Sequence, residues 1–288
     1  TVTLKPTPVQ YHQLGSSGLR VSEPILGAMS FGSPKWLDWV LDEEHSLPTP
    51  KAAWDKGINT IDIANVYSSE QSERIIGVFM EKIIVATKCH RIVGEATTVQ
   101  GKYSDHVKKT RDYVNQWGLS RAVIFNIYDD LRPPEETMKA LHDLVQSENV
   151  RYIDASTMPK WVNYFCEHAV QVFAALLRRV EEREMFDYCS YHRIGIILGA
   201  PVARGYLTRS VDESTKPKLT EADKIIIDRV EDVAKRCDVS MAEVALAWVS
   251  SKVVSPIVGI SSIKRLEENI VGVGRVLSET QMQYLEEA

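Results

Sequence analysis

Short runs of apolar, β-forming residues alternate with amphipathic stretches along almost the whole chain. This alternation predicts repeated strand–helix units and a parallel sheet. The runs are apolar at nearly every position, which is typical of strands that are covered on both faces. Eight strands are predicted, at Pro24–Ser30, Ile58–Asn65, Ile83–Lys88, Ala122–Tyr128, Arg151–Ser156, Val170–Ala174, Ile194–Ala200 and Pro256–Ile260.

The amphipathic stretches predict the helices of these units. They cover Lys51–Lys56, Glu70–Phe79, Pro134–Gln146, Pro159–Glu167, Val180–Tyr188, Ala222–Arg236, Ser240–Ser250 and Lys264–Ile270. Ahead of the first strand, Tyr11–Leu14 and Leu19–Ser22 flank a Gly-Ser-Ser-Gly turn at residues 15–18. This pattern predicts a small β-hairpin, which we expect to close the bottom of the fold.

Strands that alternate with helices in this number predict an α/β fold of the (β/α)8 type, the TIM barrel. The chain has 288 residues, a length at which such barrels commonly form one domain, so residues 1–288 are expected to form a single unit. A doubly wound sheet is the alternative, and it would require a GxGxxG turn after the first strand. Gly27 and Gly32 lie there with the wrong spacing. A barrel places its chemistry at the C-terminal ends of its strands.

Composition and charge narrow the class of partner. A net charge of −5 and the lack of a run of Lys or Arg give no electrostatic basis for binding nucleic acid. No apolar segment approaches the roughly 20 residues that span a bilayer, and the N-terminus shows no signal-peptide pattern. Cys89, Cys166, Cys189 and Cys237 are scattered, without CxxC spacing or histidine partners. They predict free thiols and no metal site, so we expect a cytoplasmic protein.

Two of the predicted strands deliver residues suited to proton transfer: Asp62 and Tyr67 near the end of the second, and Lys88 at the end of the third. A free phenol has a pKa of about 10, so Tyr67 is a weak acid unless its phenolate is stabilised. An ammonium group about 4 Å away would stabilise the phenolate by about 4 kcal/mol at an effective dielectric constant of ~20, before desolvation. The pattern indicates carbonyl reduction, with Tyr67 as the acid and Asp62 holding Lys88 beside it. A salt bridge next to a packing tyrosine is the alternative.

Seven motifs, in order along the chain, resemble those of the aldo-keto reductases, specifically the fungal branch of aryl-alcohol dehydrogenases and versiconal-type reductases. They are Leu14–Ser22, Leu26–Gly32, Asp62–Tyr67, Thr87–Lys88, Val150–Ser156, Pro201–Leu207, and Ile257–Ser262 with Arg265, Glu268 and Asn269. The chain is more distantly similar to the β subunits of potassium channels. The resemblance implies a (β/α)8 barrel that binds NADPH in an extended pose without a Rossmann fold.

The resemblance also implies a cofactor site. The side chains expected to hold the carboxamide of the nicotinamide are Ser156, Thr157 and Gln171. The backbone expected to wrap the pyrophosphate is that of Pro201, Val202, Arg204 and Gly205, and the adenosine end matches Ser261, Arg265, Glu268 and Asn269. Arg265 would pair with a 2′-phosphate, because its planar fork binds phosphate oxygens in pairs, and this favours NADPH over NADH. A solvated cation at the start of a helix is the alternative for Arg265.

The sequence departs from the family at the fourth catalytic position. The family has a histidine at the end of the fourth strand, and Tyr128 stands in its place. Tyrosine can donate a hydrogen bond to a carbonyl, but it cannot change protonation state near neutral pH as imidazole does. Tyr128 is the candidate for this position, with weaker chemistry than the residue it replaces.

Three internal stretches are shorter than in this branch of the family: between Phe79 and Lys82, between Asn126 and Ile127, and between Leu207 and Leu219. Residues 125–128, read as one continuous strand, preserve the set of strands but leave out the helix before it. One covering helix is therefore expected to be missing. Two explanations stay open: the sequence omits residues of the natural chain, or the chain is naturally shortened. In the first case the family's histidine lies in an omitted stretch.

Trp36 and Trp39 follow the first strand in a loop that should overhang the mouth of the barrel, where they could stack on an aromatic substrate. Local packing is the alternative for both tryptophans. The sequence predicts an NADPH-dependent oxidoreductase that reduces small-molecule aldehydes or ketones, aryl or polyketide-derived, to alcohols. An NADPH-binding regulatory protein or a catalytically weakened aldo-keto reductase-like protein is the alternative. The oligomeric state is not predicted.

Overall fold

The computed structural model describes residues 3–4, 9–79, 83–88, 122–127, 139, 142–148, 150–156, 169–212 and 219–287. Within these ranges parallel strands alternate with helices, which confirms the predicted α/β class. None of the described helices is long and apolar enough to cross a membrane.

The strands follow the predicted apolar runs. In chain order they are β1 (Thr3–Leu4), β2 (Gln10–Gln13), β3 (Arg20–Glu23), β4 (Ile25–Gly27), β5 (Thr60–Asp62), β6 (Ile84–Lys88), β7 (Ala122–Ile127), β8 (Tyr152–Ser156), β9 (Ala169–Phe173), β10 (Gly195–Gly199), β11 (Ser255–Gly259) and β12 (Arg275–Val276). Strands β4 to β11 pair in parallel, each with the next, and β11 pairs with β4, so that the pairing closes. Each of these strands overlaps a predicted run.

The helices are more unevenly matched. The described ones are α1 (Glu43–Ser46), α2 (Pro48–Asp55), α3 (Gln71–Gly77), α4 (Met185–His192), α5 (Glu221–Cys237), α6 (Met241–Ser250), α7 (Ile263–Val273) and α8 (Glu279–Glu286). Residues 142–146, within the predicted helix Pro134–Gln146, are also helical. The predicted helix Pro159–Glu167 and the segment between β6 and β7 lie outside the described residues. The complete outer ring of helices of a (β/α)8 barrel therefore stays a prediction.

Several predicted boundaries are wrong; β5, for example, spans only Thr60–Asp62 of the predicted strand Ile58–Asn65. The predicted helix Val180–Tyr188 is a 3₁₀ turn at Val180–Arg183 followed by α4, because Glu184 between them has φ −142° and leaves the helical region. The predicted first strand runs on to Ser30, but β4 ends at Gly27 and residues 28–30 form a 3₁₀ turn. Ser30 there donates from Oγ to the Ile260 carbonyl at 2.7 Å, which ties the turn to the strand end beside it.

Strands β2 and β3 form the predicted hairpin. Its residues Leu14 and Val21 pack in one cluster with residues of five barrel strands: Ile25, Ala86, Ala169, Ile197 and Ile257. The hairpin also approaches the first residue of β10, Gly195, so closely that a Cβ added there would lie 2.5 Å from the Gly15 backbone nitrogen. The hairpin thus covers the N-terminal end of the sheet, and the chemistry is left to the C-terminal end.

Candidate active site

The predicted ion pair forms at the C-terminal ends of β5 and β6. Lys88 Nζ donates to Asp62 Oδ1 at 2.5 Å and to the Ile63 carbonyl at 2.9 Å. Asp62 is 3% exposed and Lys88 is 5% exposed. A charge pair this deeply buried is expensive to desolvate, and it persists only where both groups have further hydrogen bonds.

A third buried side chain reaches the pair from across the sheet. Gln171 lies on β9, four strands away from β5 in either direction around the closed order, and its Nε2 donates to Asp62 Oδ1 at 3.1 Å. Because the carboxylate can only accept, this contact fixes which end of the amide faces Asp62. The other end, Gln171 Oε1, is buried and has no hydrogen-bond partner among the described residues. Ser156, 1% exposed, pairs in register with Gln171 on the neighbouring strand.

Tyr67 lies on the turn that follows β5 and is half-buried. Lys88 Nζ is 5.5 Å from the centre of its ring, close enough for the ammonium to lower the pKa of the phenol against the effect of burial. The Trp36 ring lies 6.3 Å from the Tyr67 ring, at an interplanar angle of 39°. The structure therefore brings together the predicted proton donor, its cation and one of the two predicted substrate-facing tryptophans.

The turn that carries Tyr67 has an unusual backbone. Ser68, Ser69 and Glu70 all adopt the left-handed conformation, with φ of 50°, 51° and 72°. Non-glycine residues in this region are strained, and such strain persists where surrounding contacts hold it. Two contacts hold it here: the Ser33 backbone N–H donates to Ser68 Oγ at 3.2 Å, and Ser72 Oγ donates to the Ala28 carbonyl at 2.7 Å.

Burial is the largest single influence on the pKa of each of the three groups. It raises the pKa of Tyr67 above its ordinary value; the Lys88 ammonium lowers that pKa, but not enough to reverse the shift. Burial also raises the pKa of Asp62, against the pull of Lys88 and Gln171. Burial alone would lower the pKa of Lys88, yet the Asp62 carboxylate and the Tyr67 oxygen raise it overall. Tyr67 is thus a protonated phenol at neutral pH, which is the form that can donate a proton.

The predicted pyrophosphate segment is an irregular turn after β10. Pro201 is buried and Val202 half-buried, and the chain then turns through Ala203, Arg204 and Gly205 with φ of 49°, 56° and 89°. The Gly205 N–H bonds back to the Val202 carbonyl at 3.0 Å. This turn therefore lies directly after the C-terminal end of β10, where the resemblance implies the pyrophosphate.

The predicted adenosine-end residues lie at the start of α7. Ser262 caps the helix by accepting from the Arg265 backbone N–H at 3.3 Å, and Arg265 Nη1 donates to Ser261 Oγ at 3.2 Å. Arg265 and Glu268 are exposed, and Asn269 is half-buried. The guanidinium is therefore accessible at a helix N-terminus, where the helix dipole favours negative charge.

The remaining predicted residues have different outcomes. Trp39 is 50% exposed in the loop after β4. Tyr128 and Thr157 lie outside the described residues. The assignment of Tyr128 to the fourth catalytic position therefore stays a prediction. Asn126 and Ile127 are consecutive residues of β7, as expected for one continuous strand. The Asp62–Gln171 contact and a buried Glu73 next to Lys88's strand were not predicted, because contacts between distant segments leave no local pattern.

Comparison with known proteins gives one consistent family. The family model described as "Aldo/keto reductase family" matches residues 25–288. An aldo-keto reductase of Fusarium vanettenii is 39% identical to the chain, and the match covers 99% of this chain and 92% of the relative. A putative aryl-alcohol dehydrogenase of Schizosaccharomyces pombe is 38% identical, with 98% and 96% covered. The versiconal hemiacetal acetate reductase of Aspergillus parasiticus is 36% identical, with 97% and 96% covered.

These alignments also bear on chain length. The match to the Fusarium protein runs over 346 aligned positions, whereas the chain has 288 residues. The relative therefore has residues inside the aligned span for which this chain has no counterpart, in line with the shortened stretches noted above. A family model over most of the chain, relatives well above 30% identity and a Lys–Asp–Tyr cluster at the strand ends all agree: the chain belongs to the aldo/keto reductase family, oxidoreductases of aldehydes and ketones that generally use a nicotinamide cofactor.

Proposed function

We propose that this protein is an NADPH-dependent reductase that converts aldehydes or ketones to alcohols, with Tyr67 as the proton donor. The observation that carries the proposal is the Lys88–Asp62 ion pair beside the Tyr67 ring at the ends of adjacent strands. We further propose that residues 1–288 form one domain, a (β/α)8 barrel. Its partner is a small-molecule carbonyl compound, not nucleic acid or a membrane, and its location is cytoplasmic.

The residues present fit a nicotinamide. Gln171 Oε1 is a buried acceptor without a partner among the described residues, and burying such an atom unpaired costs roughly 1–3 kcal/mol. The amide N–H groups of a nicotinamide carboxamide would satisfy it, with Ser156 beside it on β8. Thr157 completes this set in the proposal. When bound, the cofactor supplies the hydride.

The protein's own residues manage the proton. The Tyr67 hydroxyl donates its proton to the substrate oxygen as negative charge develops there. Lys88 then stabilises the phenolate that remains, and Asp62 keeps Lys88 charged and in place. The low exposure of the Lys88–Asp62 pair strengthens this electrostatic support, because water screens it little. Tyr128 would donate a hydrogen bond to the carbonyl.

The residues proposed to hold the other end of the cofactor favour NADPH over NADH. In the proposal, Pro201, Val202, Arg204 and Gly205 hold the pyrophosphate, and Ser261, Glu268 and Asn269 surround the adenosine. Arg265 pairs with the 2′-phosphate, for which its exposed guanidinium is suited. Replacing Arg265 with Ala should raise the dissociation constant for NADPH by about tenfold or more while leaving that for NADH nearly unchanged.

The mouth favours a planar substrate. Trp36 lies beside Tyr67, and Trp39 extends from the same loop with half of its surface exposed, so both offer aromatic faces on which a ring can stack. The printed names of the relatives, an aryl-alcohol dehydrogenase and a versiconal hemiacetal acetate reductase, support aryl or polyketide-derived carbonyl compounds.

The test is cofactor binding and turnover with Tyr67→Phe. The wild type should bind NADPH, measured by cofactor fluorescence, and oxidise it in the presence of an aromatic aldehyde. The variant should bind NADPH equally well and lose turnover by about a thousandfold or more, because the acid is gone and the ring remains.

Two results would count against the proposal. Parallel loss of binding and turnover would show that Tyr67 serves structure. Tight NADPH binding by the wild type with negligible turnover over a broad panel of aldehydes and ketones would instead favour a regulatory or catalytically weakened protein.

A further inference from the structure

Glu73 is a fully buried acid that the scheme above does not use. It lies on α3, the helix that follows the Tyr67 turn, and its Oε1 accepts a hydrogen bond of 2.7 Å from Thr87 Oγ1. Burying a carboxyl group is costly. An acid at this depth, next to a proton-transfer site, is therefore a candidate for a role at that site.

Thr87 connects Glu73 to the catalytic lysine. It directly precedes Lys88 on β6 and is 3% exposed. Successive side chains of a strand point to opposite faces. Asp62 accepts from Lys88 and also from Gln171 on the strand across the closed sheet, so this carboxylate lies inside the sheet. The Lys88 side chain therefore points to the inside as well. Thr87 then points outward to α3, and Glu73 receives it there.

The position of α3 determines the position of Tyr67. Only residues 68–70 separate Tyr67 from the first residue of the helix, and all three have the left-handed backbone described above. The Ser72 N–H bonds back to the Tyr67 carbonyl at 3.4 Å. Because the connection is only three residues long and is bonded back to Tyr67, α3 cannot shift far without moving the tyrosine.

The same acid contributes to the charge around the tyrosine. Apart from burial, three charged groups of the described ranges act on the pKa of Tyr67: Lys88 from β6 lowers it, and Asp62 from β5 and Glu73 from α3 raise it. Glu73 thus opposes Lys88 at the hydroxyl, from the helix on the other side of β6.

We propose that Glu73 is a positioning residue for proton transfer. Its hydrogen bond with Thr87 holds α3, and therefore Tyr67, against the strand that carries Lys88. Its charge opposes that of Lys88 at the Tyr67 hydroxyl. The effect on turnover rests on the proposed function, whereas the effect on the titration of Tyr67 does not.

Glu73→Gln separates charge from contact. The amide oxygen can still accept from Thr87, but the charge is removed. The titration of Tyr67 should move to lower pH by roughly half a unit to one unit. The tyrosinate ultraviolet difference signal measures it, taken as the difference between each protein and its Tyr67→Phe counterpart. The matched control is Glu243→Gln, which removes another largely buried carboxylate, one that bonds Arg275 away from the site, and should leave the Tyr67 titration unchanged.

The Thr87 variants test the contact. Thr87→Val keeps the shape and loses the donor, so turnover should fall by about tenfold through misplacement of Tyr67, and Thr87→Ser should restore most of it.

An unchanged Tyr67 titration in folded Glu73→Gln would overturn the charge role. Turnover in Thr87→Val equal to wild type, or a Thr87→Ser variant as impaired as Thr87→Val, would overturn the positioning role, and this pair decides it even where Glu73→Gln does not fold. A wild type without turnover whose Tyr67 titration still shifts in Glu73→Gln would refute the proposed function and leave the charge inference standing.

Discussion

At the residue scale, one carboxylate oxygen organises the site. Asp62 Oδ1 accepts from Lys88 on the adjacent strand and from Gln171 on the strand across the sheet. Gln171 therefore links the buried acceptor proposed for the cofactor to the ion pair that supports Tyr67. A change in the hydrogen bonding of Gln171 Oε1 would alter the strength of the Gln171–Asp62 hydrogen bond, and through Asp62 that of the Lys88 bond.

The Tyr67 hydroxyl should also make the protein sensitive to alkaline pH. Its pKa is raised above the ordinary value of 10.0 by burial and, less strongly, by Asp62 and Glu73, against the pull of Lys88. A group whose pKa is higher in the folded than in the unfolded protein contributes stability that is fully present below the unfolded value. That stability is lost as the pH rises through the folded value.

Above about pH 10, we therefore expect the free energy of unfolding to fall more steeply with pH for the wild type than for Tyr67→Phe. Urea denaturation at several pH values in that range measures both slopes. Slopes that coincide would mean that the tyrosine titrates in the folded protein as it does in the unfolded chain.

The sequence predicted these residues unevenly, for a physical reason. Asp62, Tyr67 and Lys88 were found because parallel strands bring their C-terminal ends to one edge, which a list of strands is enough to establish. Gln171 was placed by resemblance, but its contact with Asp62, 109 residues away, depends on which strands face each other across the closed sheet. The Glu73–Thr87 bond depends on how α3 packs, and no local pattern encodes that.

At the element scale, apolar runs predicted strands well and helix limits less well. A strand is a short run with a defined register, and each of β4 to β11 overlaps its predicted run. Helix ends depend on single residues, as at Glu184, where one non-helical conformation separates a 3₁₀ turn from α4. Helix α8 was missed, although Ser278 and Gln281 form the capping box that marks its start.

The contact between the hairpin and β10 gives a prediction at this scale. Gly195→Ala should destabilise the protein by roughly 1–3 kcal/mol, because its Cβ would press on the Gly15 backbone nitrogen, which cannot move without the hairpin. The control is Gly259→Ala at the end of β11, where an added Cβ meets nothing within 4 Å. Urea denaturation of both variants measures the difference. If the two cost the same, the close approach of the hairpin is not what requires glycine at position 195.

At the scale of the whole molecule, the two ends of the chain are tied to the same body. Strand β1 pairs with β12 near the C-terminus. Helix α8 is held through Glu286, whose Oε1 accepts from Lys252 at 2.7 Å and from Trp248 Nε1 at 2.8 Å. Arg179 donates from Nη1 to the Glu286 carbonyl at 3.0 Å and, with Lys252, lies over the buried Trp248 ring. This cluster joins α6, α8 and the segment before α4.

The Glu286 cluster should stabilise the fold in a pH-dependent way. Burial raises the pKa of Glu286, but Lys252, Trp248 and Arg179 together lower it below its ordinary value. A carboxyl group with a depressed pKa contributes stability that is present above the unfolded value and lost as the pH falls through the folded value. Glu286→Gln should therefore be less stable than the wild type at neutral pH, by about 1–2 kcal/mol.

That difference should shrink as the pH falls below about 4, where the wild-type carboxyl is itself protonated. The matched control is Glu267→Gln, which breaks an exposed pair with Lys56 and should cost less than about 1 kcal/mol. Thermal or urea unfolding at neutral and acidic pH provides both comparisons. A deficit in Glu286→Gln that is the same at both pH values would show that α8 is held by apolar packing and the Trp248 contact, with no contribution from the charge of Glu286.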